Sequence, residues 1–467
     1  MNEAFYFTRL DKSWGDVCGR VAGLMPVSLQ EETRDALENR LFLPGTPILR
    51  NANAQGSLDM HSCHNLQVSN SIREIWKAAQ ETALILKAGG GGVGVEFSKL
   101  SPRGTPLKYI AKSHIASGVA TGPVEFLKLF ILTGELIGTA RSGKPSGMMC
   151  LLRADHGDVM EWIAAKDDDG VYHLCNMSCS VDAGPDSVHP DTWSAIVRQA
   201  WKNGTPGVVF LDNVNADNDV LDELGPIETL NVCAENPAYS YEGCALSSIV
   251  LPNVLTRLGD FTELKRVARL QTLLLNRVVD LNHYPLPQFR EMAHDLRRIG
   301  GGVMGFHTLL KREGIPLYSE EANALGRQIA KTIYLVADKT SWELAEVEGG
   351  YREGRRRNVS LMAIAPNGHG SKLGECTPSI YCDLYNPDDY KAHLEATPEQ
   401  HVNHIKAWQD VVDGGVSYTV SFPFESSPKR VDEIYRRAHA AGLKAISCYR
   451  DMSRKGQPCT ADGSCSL

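Results

Sequence analysis

The chain contains 467 residues, of which 43% are hydrophobic, and it has a formal net charge of −8. This length and apolar content are sufficient to bury a large core, whereas the negative balance leaves no basic stripe that could bind a nucleic acid backbone. Residues 1–20 mix charged and aromatic side chains, and the most apolar stretch, 126–138, is interrupted by Lys128 and Glu135. We therefore expect a cytoplasmic protein that binds neither nucleic acid nor a membrane.

Short apolar runs alternate with amphipathic patterns along the whole chain, without an internal repeat or a low-complexity linker. The runs predicted as strands are 92–97, 148–152, 207–211 and 417–422. The patterns predicted as helices are 71–87, 123–138, 191–202, 261–281 and 320–348. This alternation predicts one continuous α/β domain with a mixed or parallel sheet and outer helices.

A glycine-rich segment links the first of these helices to the first strand. Gly89, Gly91 and Gly94 match G-x-G-x-x-G, a pattern typical of dinucleotide-binding sites, in which the glycines follow a strand and open a helix. Here they follow a helix and lead into a strand, so the order is reversed. The sequence favours a helix-ending glycine with a close backbone crossing, and it argues against a nicotinamide or flavin enzyme.

Twelve cysteines are scattered along the chain, and none forms the paired Cys-x-x-Cys spacing of a structural zinc site. In a chain of this length, such scattering favours reduced thiols over a disulfide framework. No metal site is predicted.

The segment Asn231-x-Cys233-x-Glu235 places a thiol between an amide and a carboxylate at alternate positions. If the segment is extended, the three side chains project to one side. A thiol can be oxidised to a thiyl radical, a carboxylate can accept a hydroxyl proton, and an amide can hold a second hydroxyl. The pattern alone also fits a buried structural cysteine. Cys63 and Cys244 offer a possible redox pair beside it.

Together with other motifs in the same order, this segment resembles the catalytic subunits of ribonucleotide reductases, which make deoxyribonucleotides for DNA synthesis. The motifs are Lys-Ala-Gly-Gly-Gly at 87–91, Val-Glu-Phe-Ser-Lys-Leu-Ser-Pro-Arg-Gly at 95–104, Asp-Leu-Asn-His-Tyr-Pro at 280–285, Arg-Ile-Gly-Gly-Gly-Val-Met-Gly at 298–305, Ala-Ile-Ala-Pro-Asn-Gly at 363–368, Val-Ser-Tyr-Thr-Val at 416–420 and Tyr-Arg-Asp at 449–451. The resemblance implies a ten-stranded α/β barrel with the catalytic cysteine on a central finger loop. It divides the chain into a short helical region at 1–40, the barrel at 41–450 and a redox-active tail at 451–467.

The resemblance also implies catalytic roles. Cys233 carries the thiyl radical and abstracts the 3′-hydrogen, Glu235 takes the 3′-hydroxyl proton, and Asn231 holds the substrate. Cys63 and Cys244 form the reducing pair that ends each cycle as a disulfide, so their Cα atoms must lie within about 7 Å of each other.

Two further thiols, Cys459 and Cys465, lie in the polar tail. The resemblance implies that they re-reduce the active-site disulfide by exchange, with thioredoxin or glutaredoxin as the external reductant.

Substrate phosphates in this family bind to backbone amides and small hydroxyls where a strand turns into a helix. The residues that resemble substrate contacts are Thr46, Ser62, Asn367, Gly368, His369, Gly370 and Ser371. The family usually has Thr-Gly-Thr-Ile-Ser at 367–371, and the loss of two threonine hydroxyls here favours contacts from the backbone. The expected substrate is a ribonucleoside diphosphate.

An allosteric deoxynucleoside triphosphate or ATP is expected at the interface of a homodimer. The residues that resemble this effector site are Asn70, Ser71, Lys108, Arg141 and Lys144, and 141–147 form a basic, glycine-rich relay loop. The barrel motifs begin by Leu43, so a separate ATP-binding regulatory domain is expected to be absent.

The radical generator distinguishes the classes of this family. The chain has no family-like glycyl-radical motif and no pair of adjacent tyrosines, but its compact size and tail resemble cyanophage-type subunits. We therefore expect class I chemistry, with a dimetal radical cofactor on a β subunit, none bound by this chain, Tyr449 and Tyr418 as candidate relays, and the host cytoplasm as location if a phage encodes it. Two alternatives stay open: an adenosylcobalamin-dependent class II reductase, which 449–451 resemble, and a non-catalytic nucleotide-binding regulator.

Overall fold

In the computed structural model, the described residues are 3–53, 58–89, 91–110, 115–142, 146–167, 170–384 and 386–453. The predicted site residues Lys144, Cys459 and Cys465 lie outside these ranges, and so do the side chains of Lys108 and Arg141. Among the described helices, none combines the length and apolar composition needed to cross a bilayer.

The α-helices of the described residues are α1 (Trp14–Ala22), α2 (Val27–Glu38), α3 (Thr46–Asn51), α4 (Ile72–Lys87), α5 (Pro123–Ser142), α6 (Val159–Ala164), α7 (Pro190–Asn203), α8 (Leu211–Asn215), α9 (Leu221–Leu224), α10 (Leu251–Val254), α11 (Thr262–Leu281), α12 (Pro287–Leu296), α13 (Phe306–Glu313), α14 (Glu320–Glu348), α15 (Gly368–Leu373), α16 (Pro387–Glu395), α17 (Pro398–Gln409) and α18 (Pro428–Ala440). Short 3₁₀ helices cover Glu3–Tyr6, Val171–Leu174 and Pro185–Ser187.

The β-strands are β1 (Phe42–Pro44), β2 (Cys63–Gln67), β3 (Gly92–Glu96), β4 (Pro106–Ile110), β5 (Ile115–Val119), β6 (Gly147–Arg153), β7 (Asn176–Val181), β8 (Gly207–Phe210), β9 (Thr229–Leu230), β10 (Pro237–Ala238), β11 (Gly243–Val250), β12 (Ile299–Met304), β13 (Thr419–Phe422) and β14 (Ala445–Arg450).

One ten-stranded sheet organises the molecule, in the order β1, β11, β2, β3, β6, β7, β8, β14, β13, with β12 paired to β11. β2, β3, β6, β7 and β8 run parallel, whereas β11 is antiparallel to β2 and β14 is antiparallel to β8. Isolated β-bridges pair Gly301 with Met362 and Ile364 with Val416. Backbone pairing therefore continues from β12 towards β13, as a barrel requires. The predicted α/β architecture with ten strands is confirmed.

The predicted elements differ from the observed ones mainly at their ends. The predicted helix at 320–348 coincides with α14, whereas α5 continues past its predicted end at Gly138 as far as Ser142. A single glycine lowers helix stability by only about 1 kcal/mol, so it does not end a helix by itself. Helices α4 and α5 pack against each other beside β3 and β6.

Candidate active site

The segment that carries Cys233 is a tight turn between β9 and β10, which pair antiparallel with Leu230 opposite Pro237. The N–H of Ala234 donates to the carbonyl of Asn231 at 3.2 Å, and Ala234 has a φ of +68°. The condition of an extended segment is therefore not met, because the chain turns at Ala234 under a local hydrogen bond. The finger loop that the resemblance implied is present.

Glycines of β3 allow the backbone of this finger loop to cross the sheet closely. A Cβ added at Gly94 would lie 1.7 Å from the carbonyl oxygen of Leu230, and one at Gly92 would lie 2.6 Å from a methyl of Val232. Gly89, which follows α4, has a φ of +101°. The glycine-rich segment is thus a helix end and a backbone crossing, as predicted.

A second pair of glycines supports the finger loop from the other side. The N–H of Gly415 donates to the carbonyl of Glu235 at 2.7 Å, and a Cβ added at Gly415 would lie 2.6 Å from the carbonyl oxygen of Ala234. A Cβ at Gly414 would lie 3.1 Å from the Glu235 carbonyl. The turn is therefore held between two backbone segments that approach it without side chains.

Cys63 and Cys244 are direct cross-strand partners, one near the start of β2 and the other near the start of β11. Opposed residues of antiparallel strands have Cα atoms about 4.5–5.5 Å apart, which meets the requirement for a disulfide. Both thiols are buried and free in the structure. Residues far apart in the sequence are thus brought together as the resemblance required.

The carboxylate of Glu235 lies close enough to Cys63, Cys233 and Cys244 to raise the pKa of all three thiols. Burial raises the pKa of Cys63 to about 12, with a further contribution from Glu235. Burial also raises the pKa of Cys233, and Glu235 and Cys63 add to this shift. The pKa of Cys244 is raised mainly by burial, while the guanidinium of Arg298 opposes the shift. The thiols are therefore neutral at physiological pH, a state suited to hydrogen-atom transfer and unsuited to thiolate nucleophilicity.

Glu235 is the titratable group of the site that changes charge near neutral pH. Its burial raises the pKa from 4.5 to about 7, and the nearby Asn231 amide partly offsets this shift. Among the described residues, Oε2 of Glu235 and Nδ2 of Asn231 have no hydrogen-bond partner. The other end of the Asn231 amide is engaged, since its Oδ1 accepts from the N–H of Asn236 at 2.8 Å. Buried polar atoms without partners are rare in native proteins, so this pair is available to bind the hydroxyls of a ligand.

A cavity of about 1040 Å³ opens onto Cys233. Val232, Cys233 and Ala234 form part of its wall, and other parts come from β8, β13 and β14. Gly368 and Ser371 of the predicted phosphate turn line the same cavity. The described lining does not include Cys63, Cys244 or Glu235, so the cavity reaches Cys233 from a side other than that of the reducing pair.

The predicted substrate-binding residues fall into two groups. Thr46 begins α3, and a Cβ added at the preceding Gly45 would lie 2.7 Å from Oγ of Ser62, so these two residues are neighbours. In the turn at 367–371, Asn367 Nδ2 donates to Ala365 O at 2.9 Å, and Ser371 Oγ donates to Gly368 O at 3.3 Å.

The remaining members of that turn are His369, whose side chain is exposed, and Gly370, which has no side chain. The ring of His369 stacks on Phe5 at 4.9 Å, and Gly370 lies near the side chain of Met304. Because the polar side chains of Asn367 and Ser371 bond within the turn, backbone groups are left as its main contacts for a ligand.

The predicted effector residues with described side chains have local structural contacts. Asn70 and Ser101 exchange two hydrogen bonds, with Asn70 Nδ2 donating to Ser101 Oγ at 2.7 Å. Ser71 is the N-cap of α4, and its Oγ accepts from the N–H of Glu74. Lys108 lies on β4 opposite Ser117, and Arg141 lies in the last turn of α5.

Sequence reasoning missed one tyrosine at the site. Tyr381 lies close enough to Cys233 for that thiol to contribute to the raised pKa of its phenol, after burial and other groups. Its ring stacks on Tyr418 at 4.3 Å and 5°, and its hydroxyl accepts from the N–H of Thr419. Tyr381, Tyr418 and Tyr449 all line the cavity. No sequence motif marks Tyr381, because stacking between distant segments leaves no local pattern.

The fold and the site define an α/β protein in which three thiols and a carboxylate gather at a central finger loop. The model of the family described as "Ribonucleotide reductase, barrel domain" matches residues 61–184 and 188–356. The chain belongs to the ribonucleotide reductase family and is related to its large subunits.

Two curated relatives are named vitamin B12-dependent ribonucleoside-diphosphate reductases. The Thermoplasma acidophilum protein is 31% identical over 92% of this chain and 66% of its own length. The Mycobacterium tuberculosis protein is 30% identical over 90% of this chain and 72% of its own length. The chain therefore spans about two thirds of the length of these relatives.

A solved structure has a similar fold. The Actinobacillus ureae class Id ribonucleotide reductase alpha subunit matches with a TM-score of 0.79 and 21% identity, over 96% of each chain. This likeness supports the ten-stranded barrel fold.

Proposed function

We propose that this chain is the catalytic subunit of a ribonucleoside-diphosphate reductase that works through a thiyl radical on Cys233. The observation that carries the proposal is the convergence of Cys63, Cys244 and Glu235 on the finger loop. The two cysteines face each other across β2 and β11, and Glu235 lies close enough to raise the pKa of all three thiols. A non-catalytic nucleotide-binding regulator would not require this set of groups. The curated relatives named as diphosphate reductases support the same substrate class.

The residues account for a balanced reaction. The Cys233 radical takes the hydrogen atom from C3′, and ionised Glu235 accepts the proton of the 3′-hydroxyl. One thiol of the Cys63–Cys244 pair gives a proton to the 2′-hydroxyl, which leaves as water. The pair supplies two electrons and its second hydrogen, which ends on C2′, and becomes a disulfide. Glu235 returns its proton to the 3′-oxygen, and Cys233 returns its hydrogen atom to C3′. Asn231 holds a substrate hydroxyl through its unpartnered Nδ2.

The resulting disulfide must be reduced before the next cycle. We assign this step to Cys459 and Cys465 by thiol–disulfide exchange, with thioredoxin or glutaredoxin restoring the tail. Substrate phosphates bind the turn at 367–371 through its backbone, with Thr46 and Ser62 as further contacts.

Adenosylcobalamin is the first candidate for the radical source, in contrast to the class I expectation from the sequence. The two relatives at 30–31% identity are named as vitamin B12-dependent. The cavity of about 1040 Å³ opens onto Cys233 away from the reducing pair, so it has room for the adenosyl part of such a cofactor. Bound adenosylcobalamin supplies an organic radical that oxidises a thiol. Residues of β8 and β14 that line the cavity would hold it.

A dimetal radical cofactor on a partner β subunit is the second candidate. The class Id alpha subunit covers 96% of this chain with the same fold. Tyr381, Tyr418 and Tyr449 line the cavity next to Cys233, and they provide phenols for a relay from a partner.

A homodimer with a nucleotide effector is part of the proposal. Ile72 and Trp76 on α4, and Leu132 and Leu136 on α5, are between 49% and 61% exposed although they are large and apolar. Each pair is four residues apart on its helix, so the packed helices α4 and α5 present an apolar face suited to a second copy. Asn70 and Ser71 directly precede α4, and Arg141 lies in the last turn of α5. Together with Lys108 and Lys144 they are the proposed effector contacts.

Reduction of a ribonucleoside diphosphate by the full chain tests both parts of the proposal. The assay is run with adenosylcobalamin alone and, separately, with a candidate β subunit. We expect deoxynucleotide with adenosylcobalamin, none with Cys233→Ser, and normal turnover with Cys18→Ser as a matched buried control on α1. Turnover that requires the β subunit assigns the second candidate, and activity in Cys233→Ser contradicts the thiyl mechanism.

A further inference from the structure

A second cluster of donor atoms lies on the segment that leads into β2. Asp59, His61 and His64 are all fully buried. One ligand atom from each lies within 4.8 Å of those of the other two. Nε2 of His64 is 2.7 Å from Oδ2 of Asp59. The proposed reductase mechanism uses none of these side chains.

Most donor atoms of this cluster have no hydrogen-bond partner among the described residues. Among the described residues, both ring nitrogens of His61, both of His64 and Oδ2 of Asp59 lack a hydrogen bond of acceptable geometry. Nε2 of His64 does contact Oδ2 of Asp59 at 2.7 Å, so the two ring nitrogens of His61 and Nδ1 of His64 are the atoms of the cluster without any close polar partner in the described part of the chain. Leaving a buried polar group unsatisfied costs about 1–3 kcal/mol, and native proteins avoid it. The cluster thus indicates a small partner that interacts with all three side chains.

The surroundings fix the orientation of the donors. Oδ1 of Asp59 accepts from the backbone N–H of His61 at 2.9 Å and from Nδ2 of Asn282 at 2.8 Å, which leaves Oδ2 to face the His64 ring. The ring of Tyr284 packs edge-on against His61 at 5.2 Å. Outer contacts of this kind hold metal ligands in place.

We propose that Asp59, His61 and His64 bind one divalent transition-metal ion of the zinc type. Two imidazole nitrogens and one carboxylate oxygen are a donor set that Zn²⁺ accepts, with one coordination position left over. Bonds of about 2.0–2.2 Å separate neighbouring ligand atoms by about 3.3 Å, so the observed spacing requires only small side-chain shifts. Fe²⁺ accepts the same donors, and metal analysis distinguishes the two ions.

The position of the site explains what the ion does for the fold. His61 and His64 flank Cys63, and a Cβ added at Gly243, the neighbour of Cys244, would lie 2.6 Å from Nδ1 of His61. A bound ion therefore fixes the start of β2 against β11, where the two thiols face each other. A separate cavity of about 1050 Å³ is lined by Asn282 and Tyr284, which contact Asp59 and His61 respectively.

Metal binding by the full chain tests the proposal independently of reductase activity. Cys459→Ser and Cys465→Ser are introduced to remove the tail thiols, bound metal is stripped with a chelator, and the protein is titrated with Co²⁺ and then Zn²⁺. We expect one Co²⁺ per chain with visible d–d absorption, no thiolate charge-transfer band, and displacement by Zn²⁺. His61→Gln should weaken binding by at least about 10–100-fold.

Matched variants separate metal binding from a folding defect. His61→Gln removes no hydrogen bond of the His61 ring seen in the structure, so its circular dichroism and its melting temperature without metal should match those of the parent. His404→Gln replaces another buried histidine, on α17, and should bind Co²⁺ like the parent. The proposal is overturned if the parent binds no stoichiometric ion, or if His61→Gln and Asp59→Asn both bind as tightly as the parent.

Discussion

Cys63 and Cys244 stand directly opposite each other across the antiparallel pair of β2 and β11. Their register is fixed by the strand pairing and not by a covalent bond, since both are free thiols. The pair can therefore close to a disulfide and reopen without movement of the sheet, as a reductant used in every cycle requires.

This geometry predicts the site of oxidation. After a single turnover without external reductant, peptide mapping by mass spectrometry under non-reducing conditions should find a Cys63–Cys244 disulfide. Cys63→Ser and Cys244→Ser should each lower sustained deoxynucleotide formation by at least about two orders of magnitude. Cys18→Ser should have little effect. A disulfide between other cysteines after turnover would disprove the assignment of the pair.

The raised pKa of Glu235 predicts that the rate of ribonucleotide reduction depends on pH. As the proposed base it must be ionised, and its pKa is raised to about 7 by burial, so turnover should increase with pH through that value. Glu235→Gln should lower the rate by about 10²–10⁴-fold and abolish this rise. Glu81→Gln changes another carboxyl with a raised pKa, on α4, and should keep the wild-type profile. An unchanged profile in Glu235→Gln would assign the base to another group.

The raised pKa of Glu235 also predicts that the free energy of unfolding depends on pH. A carboxyl whose pKa is higher in the folded state favours folding below its unfolded pKa of 4.5, and this contribution is lost as the pH rises through about 7. At about pH 8 ionised Glu235 should lower the free energy of unfolding by about 3 kcal/mol relative to Glu235→Gln. Urea denaturation at about pH 4 and about pH 8 measures the difference, which should nearly vanish at the lower pH. An equal difference at both pH values would contradict the raised pKa.

The ordered motifs of the sequence predicted the α/β barrel and the five central residues, because each motif includes a local constraint such as the Asn-x-Cys-x-Glu turn or the β3 glycines. What the motifs could not provide was the backbone conformation at Ala234, where φ is positive and the segment turns. Contacts between distant segments were also missed. Tyr381 stacks on Tyr418 from another part of the chain, and the cluster of Asp59, His61 and His64 contains no paired cysteines that would mark a metal site in the sequence.

The close approach of Gly94 to the backbone of Leu230 predicts that the finger loop does not tolerate a side chain at position 94. In Gly94→Ala the new Cβ would lie 1.7 Å from Leu230 O, so the loop must move or the strand pairing must weaken. We expect a loss of about 3–5 kcal/mol in the free energy of unfolding. Gly19→Ala on α1 meets no atom within 4 Å and should stabilise the protein by about 0.5–1 kcal/mol. Chemical denaturation of both variants measures this contrast, and equal effects would refute the crossing.

Tyr381 tests the choice of radical source. Tyr381→Phe keeps the ring that stacks on Tyr418 at 4.3 Å and removes only the hydroxyl that accepts from Thr419. If adenosylcobalamin oxidises Cys233 directly, no phenol has to be oxidised, so turnover with this cofactor should stay within about threefold of wild type, the effect of one hydrogen bond. The matched control is Tyr334→Phe on α14, which removes a hydroxyl that accepts a hydrogen bond from Arg356. A loss of about two orders of magnitude in Tyr381→Phe alone would instead make the phenol part of a relay and favour a radical-generating partner.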